Sequence, residues 1–275
     1  MTDPRLIPAN DHVMADHLPQ DGSGRRRVTG IPMVIGMPIV DLARRPDGPR
    51  DRQLLLGEDV TVLQAIGDTA FVQARKDAYV GYLPVGSLSE ASRPATHSVT
   101  APATHTYPHP DIKCRESLTL SFGARLTVTG EDSAFFATPQ GFVPKPHLTP
   151  LEQPLPDPVA VAELFLGTPY LWGGNSRAGI DCSGLIQTAC LACAIPCPGD
   201  SDQQEQALGK ALPGDTRPER GDLLFWKGHV AWVLNDTEIL HANAHTMSVA
   251  RESRLCAIDR IRHAGEGPIT SHKRL

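Results

Sequence analysis

Four of the chain's six cysteines crowd into "GIDCSGLIQTACLACAIPC", residues 179–197, and two histidines follow in "KGHVAWVLNDTEILHANA". A thiol can bind a metal, form a disulfide or act as a nucleophile. Spacing separates these. Cys190-x2-Cys193-x3-Cys197 offers three thiols, whereas a structural zinc site takes four ligands, commonly from two paired knuckles, and no second C-x-x-C pair exists. No metal or other cofactor is expected. At helical spacing Cys182, Ile186, Cys190 and Cys193 share one face, where cysteine serves as a small hydrophobe. Cys197, past Pro196, is left without a role.

Cys182 differs from its neighbours. Asp181 reads as the N-cap of a helix, which puts the thiol in the first turn, where backbone N–H groups and the helix dipole favour a thiolate. Ser183 and Gly184 beside it are small enough to leave room for a substrate. His229 and His241 lie on two β-type runs joined by "LNDTE". A turn centred on Asn235 would set them directly opposite on one sheet face, with Cβ atoms about 4.5–5.5 Å apart. His229 would then accept the thiol proton and His241 would orient its ring, a thiol-hydrolase triad. His245 completes H-x3-H with His241, but the glutamate of H-E-x-x-H is missing and the segment reads as strand, so zinc is not expected there. Histidines 97, 105 and 109 read as exposed loop residues.

The elements that must hold these groups fall in the last part of the chain. "PVAVAELFLG" opens a helix on a proline, the cysteine run is a second, and "SDQQEQALGKAL" a third. From 221 onward the pattern is consecutive strands, so residues 151–275 read as an α+β catalytic domain. Upstream, "LLLGEDVTVL" (54–63) with "GYLPVGSL" (81–88) matches "LTLSFGARLTV" (118–128) with "GFVPKPHL" (141–148). Gly57 falls on Gly123 and Gly81-Tyr82-Leu83-Pro84 on Gly141-Phe142-Val143-Pro144. Two copies of a small barrel, 28–92 and 93–150, explain this, preceded by a polar arm, 1–27, whose "RRR" at 25–27 reads as solvated. Over 275 residues the net charge of −5 lacks the basic stripe that nucleic acid requires. "IPMVIGMPIV" (31–40) is too short to span a bilayer. The N-terminal residues carry no apolar h-region, so a cytoplasmic protein with reduced thiols is expected.

"TPYLWGGNSRAGIDCSGLIQ", "PGDSDQQ", "RGDLLFWKGHVAWVL" and "EILHA" resemble, in order and spacing, the NlpC-type (NlpC/P60) family of bacterial cell-wall cysteine peptidases, which have a papain-like fold. The "G-aromatic-aliphatic-P" endings upstream resemble bacterial SH3-like barrels. Together they resemble the intracellular γ-D-glutamyl-L-diamino acid endopeptidases, which recycle peptidoglycan fragments. The resemblance implies that Cys182, His229 and His241 are the catalytic residues. It implies substrate contacts at Tyr170, Trp172, Asp181, Ser183 and Ser201, and an acid and a tyrosine from the first barrel, Asp51 or Asp47 and Tyr79 or Tyr82. The implied substrate is an L-Ala-γ-D-Glu-diaminopimelate type peptide, with Asp181 meeting a free N-terminal ammonium. Three alternatives stay open: an exported autolysin, a catalytically inactive wall-peptide binding module, and an acyltransferase on the same scaffold.

Overall fold

The computed structural model describes residues 3–90 and 93–275; the boundary expected at 92 lies outside the described residues. Two compact units result, one ending at Leu151 and one starting at Glu152.

In the N-terminal unit a seven-stranded antiparallel sheet has the spatial order Arg50–Leu55, Ile39–Ala43, Val80–Pro84, Thr69–Ala74, Asp59–Ile66, Ile31–Ile35, Leu88–Ser89. Period-two alternation drives it. Val40 and Leu42, and Val60 and Val62, turn to one face and pack with Ile35, Leu54, Val72 and Leu83. The expected closed barrel is not what forms. The sheet is open, because its last strand is two residues long and offers too little ladder to complete a ring. Residues 97–150 form three small sheets rather than a second closed barrel, around Val99, Leu120, Leu126 and Val143.

The two matched segments share features of local structure. Gly57 and Gly123 both turn at positive φ, +76° and +88°. Val80–Pro84 and Gly141–Pro144 each run through one 3-10 turn into a short strand. His97 and His105 lie on strands here, not in loops. The segment expected as a polar arm also folds back. Val13–Ala15 pairs in parallel with Arg26–Val28, and Val13 and Ala15 pack on Leu63 and Phe71. A three-residue apolar run was enough to anchor it. The basic run serves this turn, with Arg25 paired to Asp21 and Arg27 donating to the Asp16 and Leu18 carbonyls.

The C-terminal unit is α+β. Helices α1 (Pro158–Glu163), α2 (Cys182–Ala192) and α3 (Ser201–Ala207) precede a six-stranded antiparallel sheet, and α4 (Arg254–His263) follows its Ser248–Ser253 strand. The sheet runs Lys210–Ala211, Ser271–Arg274, Asp222–Trp226, His229–Val233, Glu238–Asn243, Ser248–Ser253. Asp157 caps α1 ahead of its proline. Helix α2 packs against α1 and against the His229–Val233 and Glu238–Asn243 strands. Ala257 and Ile261 of α4 pack on Trp226, Ala231, Val233 and Ile239.

Candidate active site

The thiol is placed by the start of α2. Asp181 is the N-cap: its Oδ1 accepts from the Gly184 N–H at 2.6 Å and the Ser183 hydroxyl at 3.2 Å, and its Oδ2 from the Gly173 N–H at 2.9 Å. Cys182 is the first helical residue. The space at Gly184 is not for a ligand: a Cβ there would sit 2.4 Å from the Gly174 carbonyl oxygen. At the other end Ala194 takes φ +57° while its N–H and that of Ile195 donate to the Leu191 and Cys190 carbonyls, a Schellman stop ahead of Pro196. Cys190 is fully buried below the first turn. Cys193 falls at the C-cap, half-buried, its thiol pushed up to about 11 by burial and then by Cys190. Cys197 is buried, and its carbonyl accepts from Gln187 on α2.

The histidines meet, though not in the expected register. Trp232 pairs with Leu240 and Val233 with Ile239, so the hairpin is shifted by two from one centred on Asn235. The Asn235 Oδ1 accepts from the Thr237 N–H, the Thr237 hydroxyl and the Glu238 N–H, which closes a longer loop. A two-residue shift preserves the face. His229 and His241 are therefore diagonal neighbours, and their rings span the gap: His229 Nε2 lies 2.9 Å from His241 Nδ1. His241 is completely buried. Beyond it, Nε2 lies 3.0 Å from Glu252 Oε2, and Arg260 of α4 donates to both Glu252 oxygens at 3.0 and 2.7 Å. Burial, then the neighbouring His241 and Arg260, pull His229 down to about 3 against the opposing pull of Glu252.

A cleft of about 400 Å³ collects Cys182 and His229 with Tyr170 and Trp172. The Tyr170 phenol is pushed upward by burial, then by Cys182, Asp181 and Glu266, so it keeps its proton and can donate. Trp172 is largely exposed at the rim. Asp181, Ser183 and Ser201 do not line the cleft. Asp181 caps the helix, and capping leaves its carboxylate with further acceptor sites. Ser201 is the first residue of α3. In the N-terminal unit Tyr79 belongs to the sheet's core and Asp51 is bound by the Arg44 guanidinium at 2.9 and 3.1 Å. Tyr82 stacks on Phe71, and Asp47 occupies a turn at φ +54°.

Sequence reasoning missed Lys227, Asn243, Arg260 and Glu266 in the cleft, and Glu252 behind it. His245, read as strand, sits in the turn after Asn243 and lines the cleft as well. Asn243 is almost completely buried. Its Oδ1 accepts from the Thr246 N–H and hydroxyl, and its Nδ2 has no hydrogen-bond partner among the described residues. That position two residues after His241 returns to the same sheet face, a signal available in the strand's period.

A thiol at a helix start, beside imidazoles carried by the adjoining antiparallel sheet, defines a papain-like cysteine hydrolase. Residues 167–264 match the NlpC/P60 family, and residues 42–88 the bacterial dipeptidyl-peptidase Sh3 domain. A γ-D-glutamyl-L-lysine dipeptidyl-peptidase of Bacillus cereus is 30% identical over 72% of this chain and 69% of its own. One of Bacillus subtilis is 30% identical over 76% and 80%. The crystal structure of an NlpC/P60 family protein from Bacillus cereus matches in fold with a TM-score of 0.75, covering 89% of this chain and 99% of that one at 24% identity. The chain belongs to the NlpC/P60 family and is a cysteine peptidase, with an SH3-type β-rich region ahead of its catalytic domain.

Proposed function

We propose that this peptidase hydrolyses the bond between γ-D-glutamate and the following diamino acid in peptidoglycan-derived peptides, with Cys182 as nucleophile, His229 as general base and His241 as its orienter. The observation that carries it is the 2.9 Å contact of the two imidazoles beside a cleft that also holds a helix-start thiol. The names of the Bacillus relatives support the bond cut.

In this reading the thiol proton passes to His229 and sulfur attacks the γ-amide carbonyl carbon. The Tyr170 phenol and the positive end of α2 meet the oxyanion. His229 returns the proton to the departing amine, leaving a thioester. Water then attacks, His229 taking its proton, and a carboxylate and free thiol result. The cleft's charges suit such a substrate. Lys227 in the cleft suits a free carboxylate, and Glu266 offers a negative charge for an ammonium beside the one expected of Asp181. A cytoplasmic setting, in which the six thiols would stay reduced, is part of the same proposal. The matched turns and strand endings support reading residues 93–150 as a second SH3-type copy.

The test is turnover of L-Ala-γ-D-Glu-L-Lys and its diaminopimelate counterpart by purified protein, with mass detection. L-Ala-γ-D-Glu should appear, Cys182→Ala should release none, and Cys182 should alkylate before the other five thiols. Binding without turnover by folded wild-type protein would refute the reading in favour of a binding module. Release from intact wall but not from free peptides would point to an autolysin.

A further inference from the structure

We infer that Glu252 is a positioning residue of the reaction, fixing which nitrogen of His241 carries a proton and, through it, which nitrogen of His229 does. The inference rests on His229 being the base for Cys182.

Hydrogen-bond direction carries the argument. His241 is sealed from solvent, and each of its ring nitrogens has one partner: His229 on Nδ1 and Glu252 on Nε2. A carboxylate can only accept. Arg260 grips both Glu252 oxygens, and the His241 contact and this guanidinium hold the carboxyl down to about 2 although burial opposes them. Neutral His241 must therefore carry its hydrogen on Nε2, donated to Glu252, which leaves Nδ1 bare. The 2.9 Å contact is then satisfied only if His229 donates from Nε2, which in turn leaves His229 Nδ1 bare. That bare nitrogen is the one able to take a proton from the thiol. Reversing the chain puts a hydrogen on His229 Nδ1, and the base is lost. The rival account makes Glu252 a brace alone, tying the Ser248–Ser253 strand to α4 through Arg260.

Long-range proton–nitrogen NMR of the full-length protein with 15N-labelled histidine separates the two. In the wild type both rings should show Nε2–H. In Glu252→Gln the amide presents a donor as well as an acceptor, so His241 should show mixed tautomers. There kcat should fall about 10–100-fold, less than the ~10⁴-fold seen when a group directly on a catalytic histidine sets the wrong tautomer, with KM within about twofold. Glu252→Asp should retain the wild-type tautomers and recover part of kcat. A fall in kcat with both tautomers unchanged would make Glu252 a brace and overturn the inference. Should the glutamine variant fail to fold, Nδ1–H on either wild-type ring overturns it equally. Failure of the underlying reading looks different: His229→Ala would then keep wild-type kcat whatever the tautomers.

Discussion

His229, the base of the proposed reaction, is held neutral by its surroundings. An ordinary imidazole is half protonated near pH 6.5. Here burial, His241 and Arg260 disfavour the cation, so the neutral ring persists as pH falls. Two consequences share this sign. The acid limb of kcat/KM should lie below pH 6.5, and a limb at or above that value would show that the imidazole is not held neutral. Stability should also decline as pH drops below about 6.5, because the unfolded chain's imidazole binds a proton that the folded site refuses. The placement of the candidate groups was legible at this scale: Cys182, His229 and His241 each stood out by type and by flanking residues, and the structure brings the two imidazoles together beside the thiol's cleft. Glu252 and Asn243 did not stand out. A glutamate in "VARES" is an ordinary exposed strand residue until the neighbouring strand's register sets it beside His241.

Among the elements, α2 shows where sequence reading ends. Its cap, its first residue and its stop at Pro196 are local properties, fixed by Asp181 and by chain geometry. What faces Gly184 is not local. The small residue suggested room for a substrate, whereas the Gly174 carbonyl oxygen fills that space. Gly184→Ala should therefore lower stability by about 1–3 kcal/mol through overpacking against backbone, and lower kcat by shifting Cys182. Thermal melting and steady-state kinetics check both. An alanine variant as stable and active as the wild type would mean that the loop yields freely. The hairpin teaches the complementary lesson. Its register was misplaced by two residues because the Asn235 side chain closes a longer loop. Parity still kept both histidines on one face, and long imidazole rings bridge the diagonal.

On the scale of the whole molecule, strand insertion is what sequence order conceals. "SHKR" has neither apolar alternation nor β-branched residues, yet Ser271–Arg274 lies inside the sheet between Lys210–Ala211 and Asp222–Trp226. Two apolar repeats likewise suggested closed barrels, and the N-terminal sheet remained open because closure depends on the length of its last strand. The inserted strand is explained by Asp222. It is completely buried, and its carboxylate accepts from His272 Nε2 at 2.7 Å, from Arg274 at 2.7 and 2.9 Å, and from the Glu219 N–H at 2.9 Å. Burial pushes its pKa up, but the Arg274 contact, the Glu219 N–H and His272 outweigh it, and the group stays ionised. Asp222→Ala would leave a partly buried imidazole and a part-exposed guanidinium without their anion. We expect a loss of about 2–4 kcal/mol, discounted for the exposure of Arg274, and a melting temperature lower by about 5–10 °C. Because Asp222 ionises more readily when folded, its contribution should persist above about pH 4 and vanish as pH falls further. Melting the wild type and the variant across pH 3–7 measures this: the two curves should converge at the acid end. A constant gap would show that Asp222 acts through packing, and that another interaction holds the strand in place.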